Sequence, residues 1–180
     1  MQETTSAATL PLLGFVAFSS DTGKTTLLKK IIPLLRGRGL RPALIKHVHC
    51  GFDLDTPGKD SYELRRAGAD QVLVASAERW ALMKEEPTPD NYPDLARMAS
   101  RIEPESADLI LVEGFKEAGH PKIEVHRQAT GSPCLFPQDP SIVALASDAA
   151  TKIATDLPRL DLNNPAQIVD FIIDFCGLNS

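Results

Sequence analysis

The chain alternates between two kinds of apolar pattern, runs of about five residues and stretches with helical spacing. Leu12–Phe18 is an apolar run and reads as a first strand. From Lys24 to about Arg38, Leu27, Leu28, Ile31, Leu34 and Leu35 recur at helical spacing and define a buried side. Pro33 predicts a kink in that helix, and Gly37 and Gly39 end it. Pro42–Val48 is a second strand. Asp60–Ala67, stopped by Gly68, is a short helix. Gln71–Ala75 and Trp80–Lys84 are two strands joined by Ser76–Arg79. After Pro87, Pro89 and Pro93, a helix runs from about Pro93 to Ile102.

Asp108–Val112 is a continuous apolar strand of the kind buried on both faces. Lys122–His126 alternates and reads as another strand, and Ile142–Ala146 as the last. Asn164 caps a final helix with Pro165 at its first position and Ile168, Val169, Phe171, Ile172 and Phe175 on its apolar side. Gly119–Pro140 is the least regular stretch and reads as a surface excursion. Strands alternating with helices predict an α/β fold with a mainly parallel sheet flanked by helices.

Composition narrows the class. A chain of 180 residues, 43% hydrophobic, fits one domain with a real core. Residues 1–9 read as a flexible arm and residues 10–180 as a single domain. No apolar run reaches membrane-spanning length, and the polar, acidic N-terminus lacks the features of a signal peptide. Cys50, Cys134 and Cys176, far apart and odd in number, argue for a reducing, cytoplasmic setting. A net charge of −5 argues against broad nucleic-acid binding. The charge is uneven, however. Lys24, Lys29, Lys30, Arg36, Arg38, Arg41 and Lys46 lie between Thr22 and Phe52 with no acid among them. That predicts a local positive field, part of which is a solvated helix face.

The chemistry sits between the first strand and the first helix. Ser20-Asp21-Thr22-Gly23-Lys24-Thr25-Thr26 gives strand, tight loop, Gly-Lys-Thr and helix, the arrangement that holds a nucleoside polyphosphate. Loop N–H groups wrap the phosphates, Lys24 brings a point charge to the terminal ones, and the Thr25 hydroxyl sits on Mg²⁺. A Gly-Lys-Ser/Thr triplet arises by chance in roughly one chain in ten of this length, so the flanking strand and helix carry the weight. Two departures stand out. Phe18 occupies the place of the glycine expected five residues before Gly23. Asp21 places a carboxylate in the loop, where it must turn outward to avoid repelling phosphate.

A second carboxylate completes such a site. Four apolar residues deliver Glu113 to the end of a buried strand, where ligands collect in open α/β sheets, and Gly114 allows the backbone near a terminal phosphate. Lys46, His47, His49, Cys50, Asp53, Asp55, Lys59 and Asp60 crowd into fifteen residues after the second strand. Their spacing does not match the usual zinc patterns. Asp53, Asp55 or Asp60 can hold Mg²⁺ through water or position an attacking water. Asp148, after the last strand, is placed to accept both N1–H and N2–H of guanine; it equally suits a cap on a helical turn starting at Ala149.

Taken together, SSDTGKTTLLKKIIPLL (Ser19–Leu35), RGLRPALIKHVH (Arg38–His49), DLDTPGKDSYELRRAGA (Asp53–Ala69), VASAERWALM (Val74–Met83), DLILVEGFK (Asp108–Lys116) and VALASD (Val143–Asp148) resemble the MobB family of molybdopterin-guanine dinucleotide biosynthesis proteins. The resemblance implies a P-loop NTPase fold and a homodimeric, GTP-binding accessory protein with weak GTPase activity. It implies work beside a MobA-type molybdopterin guanylyltransferase, with molybdopterin itself a further candidate ligand. It maps phosphate binding onto Gly23, Lys24, Thr25 and Thr26, and the strand-end acid onto Glu113. Lys24 and Glu113 are then the catalytic pair, with Thr25, Glu113 and Asp60 as magnesium ligands. Asp21 stands where related loops often carry glycine. No Asn-Lys-x-Asp motif, arginine finger or water-activating residue is identifiable, so slow turnover is expected. Two alternatives remain open at this point: a small-metabolite kinase with Arg97 and Arg101 in a lid, and an adaptor whose nucleotide is never hydrolysed.

Overall fold

The computed structural model describes residues 10–48, 52, 54–85, 92–148 and 153–178. The expected arm, together with His49, Cys50, Asp53 and Ala149, lies outside them. The chain divides into two compact units, Met1–His47 with Asp94–Ser180, and Val48–Pro93.

The larger unit is built on a six-stranded sheet. Its strands are β1 (Leu12–Val16), β2 (Pro42–Lys46), β5 (Leu109–Glu113), β6 (Lys122–His126), β7 (Ile142–Ser147) and β8 (Arg159–Asp161), in the order β2-β5-β1-β6-β7-β8. Every neighbouring pair is parallel. β1 is therefore central, and its C-terminal end opens beside the ends of β5 and β6. The chain leaves β1 toward β2 on one side and later fills β6 to β8 on the other. A crevice at the strand ends is expected at such a reversal.

Two helices, α1 (Lys24–Gly37) and α4 (Pro165–Phe175), pack on one face. Leu27, Leu28, Ile31 and Leu35 of α1 join Ile168, Val169, Ile172 and Ile173 of α4 in one apolar cluster with Leu13, Phe15, Leu111 and Ile123. Each such buried aliphatic side chain contributes about 1.5–3 kcal/mol. Leu34, expected on the buried side of α1, is 41% exposed. Helix α1 runs through Pro33 as one element. Asn164 caps α4 by accepting from the Gln167 N–H, as its position before Pro165 predicts. The helix expected from Pro93 is only α3 (Leu95–Ala99), started by Asp94, whose carboxylate accepts from the Ala96 and Arg97 N–H groups.

The other face corrects the reading of the irregular stretch. Alternation in β6 ordinarily marks a half-exposed strand, yet all five of its residues are buried. Each polar member instead holds the segment lying over it. Lys122 Nζ donates to the carbonyls of Lys116 (2.9 Å) and Ala118 (2.6 Å) and pairs with Asp139 (2.8 Å). Glu124, fully buried, accepts from the Leu135 and Phe136 N–H groups at 2.7 and 2.9 Å. His126 Nε2 lies 3.1 Å from the Ser132 carbonyl oxygen. The stretch Gly119–Pro140 is thus strapped to the sheet. The His120 ring packs directly over Gly14 of β1, where any Cβ would collide with it. Burial, then the nearby Lys122 charge, pushes His120 down to about 4, so it packs as the neutral imidazole.

The smaller unit holds α2 (Asp60–Arg66) and an antiparallel hairpin of β3 (Gln71–Ala75) and β4 (Trp80–Lys84), with Leu73 opposite Leu82. The hairpin follows the boundaries predicted for it. Among the described residues, no helix is long and apolar enough to cross a membrane.

Candidate functional site

The loop between β1 and α1 closes on itself. Thr22, 3% exposed, donates its hydroxyl to the Ser19 carbonyl at 3.0 Å, and Lys24 Nζ donates to the same oxygen at 3.2 Å. Gly23 takes φ +97°, which a glycine adopts without strain, and its carbonyl accepts the first helical bond, from Leu27 N–H at 2.9 Å. The N–H groups of Lys24, Thr25 and Thr26 therefore have no partner within the helix. Asp21 takes φ +61°, the left-handed region that glycine normally fills and aspartate tolerates. Its side chain and that of Ser20 are exposed, as the outward turn of the carboxylate requires. Phe18, in the place of the missing glycine, is 50% exposed.

Glu113 ends β5 directly beside this loop, since Phe15 and Lys46 are its register partners on either side. The Thr25 hydroxyl donates to Glu113 Oε1 at 2.6 Å, across 88 positions of sequence. Lys46 Nζ lies 3.3 Å from the other oxygen, Oε2. Immediately afterwards the chain makes a tight turn through Gly114 (φ +91°) and Phe115 (φ +53°). A left-handed phenylalanine costs about 1–2 kcal/mol. It is held there by burial of its ring, 2% exposed and 5.1 Å from His47. A Cβ on Gly114 would meet the Cβ of His47 at 3.1 Å, so glycine serves this turn through close packing as well as through its φ.

The electrostatics favour an anion. Burial lowers the Lys24 pKa, opposed by the charges of Glu113 and Asp21 and reinforced by Lys46. A phosphate placed there would restore it. Lys24, Lys46 and one further cation, Arg127, stand against the carboxylates of Glu113 and Asp21. Arg127 was not expected. It follows β6 and donates Nε–H to the Thr22 carbonyl at 3.0 Å. The strand-end reasoning that picks out Glu113 applies equally to Arg127, but the stretch beginning at Gly119 reads as irregular and hides it. Two members of the expected positive field are spent elsewhere. Arg38 pairs with Asp170 at 2.8 Å and Arg41 with Asp108 at 2.7 Å.

The other expected residues fall in different places. Asp148 follows β7, two strands from β1 and so about 10 Å along the same sheet edge. Its Oδ1 accepts from the Gln128 N–H at 3.3 Å. Asp60 is the exposed first residue of α2, in the smaller unit, where Asp55 accepts from the Ser61 hydroxyl at 2.8 Å. The hydroxyl of Thr25 and the carboxylate of Glu113 are hard oxygen donors, already in contact and matched to Mg²⁺.

The model of the family described as molybdopterin guanine dinucleotide synthesis protein B matches residues 12–148. Over 167 residues the chain is 49% identical to the molybdopterin-guanine dinucleotide biosynthesis adapter protein of Escherichia coli K12, covering 92% of this chain and 93% of that one. It is 43% identical over 164 residues to the protein of the same name from Haemophilus influenzae Rd, covering 91% and 88%. Among solved structures, that of a molybdopterin-guanine biosynthesis protein B superposes with a TM-score of 0.70 at 26% identity, covering 91% of this chain and 99% of that one. With nearly the whole length matched in sequence and in fold, the chain belongs to the MobB family, molybdopterin guanine dinucleotide synthesis protein B.

Proposed function

We propose that this protein is a GTP-binding adapter in molybdopterin guanine dinucleotide synthesis, working beside a MobA-type guanylyltransferase that joins GMP to molybdopterin. The observation that carries the nucleotide half of this reading is the 2.6 Å bond from Thr25 to Glu113. It places the hydroxyl of a Gly-Lys-Thr loop and a strand-end carboxylate together at a helix start with free N–H groups. The adapter half is supported by the names of the Escherichia coli and Haemophilus influenzae relatives.

In this reading the amides of residues 22–26 and the Lys24 ammonium bind the phosphates, while Thr25 and Glu113 hold Mg²⁺. The ion, when bound, neutralises charge on the terminal phosphate oxygens. Lys46 fixes the unused oxygen of Glu113. In this reading Asp148, two strands along the same sheet edge, takes the base, its carboxylate accepting the two N–H groups that guanine offers and adenine lacks. A second copy of the chain is the proposed partner of the hairpin in the smaller unit. Leu73, Trp80 and Leu82 share one face of it and are 61%, 58% and 49% exposed.

Titration calorimetry with GTP and ATP, each with and without Mg²⁺, tests the nucleotide assignment on the wild type and on Asp148→Ala. The wild type is expected to prefer Mg·GTP over Mg·ATP by at least about tenfold, and Asp148→Ala to erase that preference while still binding triphosphate. Equal affinities in the wild type would contradict the guanine assignment.

A further inference from the structure

The phosphate loop is touched by a cation from a distant part of the chain. β6 runs parallel to β1 with Lys122 opposite Gly14 and Glu124 opposite Val16, so Arg127 leaves the sheet at the same edge as the loop. Besides donating to the Thr22 carbonyl, its guanidinium turns its Nε–Nη2 edge toward Gly23. A Cβ built there would be 3.4 Å from Nε and 3.6 Å from Nη2. The Thr22 bond uses one of the five N–H donors of the fork. Among the described residues no carboxylate pairs with the remaining ones. A bond to one peptide carbonyl would need only a neutral donor. A planar, permanently charged fork with its amino groups unspent matches phosphate oxygens.

The segment that carries Arg127 is also fixed. The Thr130 hydroxyl donates to the Arg127 carbonyl at 2.8 Å, and Ser132 Oγ lies 3.3 Å from Ser19 Oγ at the base of the phosphate loop. Gln128 N–H donates to Asp148 at 3.3 Å. The stretch 127–132 thus joins the loop to the residue proposed to read the base.

We propose that Arg127 grips the terminal phosphates of the bound nucleotide and meets the charge that develops on them during hydrolysis. The inference rests on the nucleotide site proposed above. In that hydrolysis the oxygen of water bonds to the γ-phosphorus and the bond to the β–γ bridging oxygen breaks. The electron pair stays on that oxygen as GDP leaves, and the proton of the water passes to inorganic phosphate. A guanidinium in the same chain steadies the bridging and γ oxygens while charge gathers on them.

The test compares full-length wild type, Lys24→Ala, Arg127→Ala and Arg127→Lys. Three quantities are measured: affinity for Mg·GTP and for GMP by calorimetry, single-turnover GTP hydrolysis, and the thermal midpoint without nucleotide. Arg127→Ala is expected to lose about ten- to a hundredfold in GTP affinity and at least about tenfold in hydrolysis. GMP affinity and the thermal midpoint should stay at wild-type values. Arg127→Lys should recover part of the affinity and little of the rate, since a point charge cannot reproduce the fork. GTP affinity and rate within twofold of wild type would overturn the proposal. So would an equal loss of GTP and GMP with a lowered midpoint, which marks a latch on the loop and nothing more. Should Arg127→Ala not fold, Arg127→Lys decides by the same contrast of GTP with GMP. A wild type that does not bind GTP, or a Lys24→Ala that binds it unchanged, sinks the nucleotide site itself. If both behave as expected beside an Arg127→Ala indistinguishable from wild type, only the role of Arg127 falls.

Discussion

Lys24→Ala is expected to lower affinity for Mg·GTP by at least about a hundredfold while leaving the nucleotide-free protein as stable as the wild type. The two halves have separate causes. A charge-assisted bond to phosphate is worth roughly 1.5–3 kcal/mol, and this ammonium sits where two phosphates would share it. In the nucleotide-free fold it makes one bond, to the Ser19 carbonyl, and burial already depresses its pKa. Removing a charge that is costly to bury offsets the lost bond. Calorimetry and thermal denaturation of the same preparation check the pair of outcomes. An affinity within threefold of wild type would contradict the phosphate role, and a large loss of stability would make Lys24 a structural residue.

The second large effect lies away from the loop. Lys122→Met is expected to destabilise the protein by about 3 kcal/mol, read as a lowered midpoint in urea at unchanged slope. Lys122 is 1% exposed, and its ammonium is fully used by two carbonyls and Asp139. Methionine replaces the stem and none of the bonds. Breaking a buried pair costs about 3–5 kcal/mol; the lower end applies because the Asp139 side chain is 26% exposed. Asp139→Asn added to Lys122→Met should return part of the loss, since a neutral amide no longer leaves a charge unpaired. A cost below about 1 kcal/mol would mean that the segment over β6 is held by something other than this cation. Because β6 leads directly into Arg127, the same substitution is expected to loosen the segment that reaches the phosphate loop.

Elements specified by local pattern were legible: the apolar run of β5, the stripe on α1, the cap on α4 and the hairpin around Ser76–Arg79. The three-residue β8 was not, being too short to show a period. Burial of Lys122, Glu124 and His126 was also illegible, because it depends on a segment that folds back over the strand. The site follows suit. The Gly-Lys-Thr loop and Glu113 each obey a local rule, and the structure joins them through Thr25. Arg127 contacts Thr22 across 105 positions, inside a stretch with no period to read. The expected field of basic residues likewise gave no hint that Asp170 and Asp108 engage two of them.

A crystal structure of the protein with a non-hydrolysable GTP analogue and Mg²⁺ examines the central claim most directly. The triphosphate is expected within hydrogen-bond distance of the backbone N–H groups of residues 22–26, with the Thr25 hydroxyl turned from Glu113 to the ion. Nucleotide bound elsewhere, with the 2.6 Å bond between Thr25 and Glu113 intact, would contradict it.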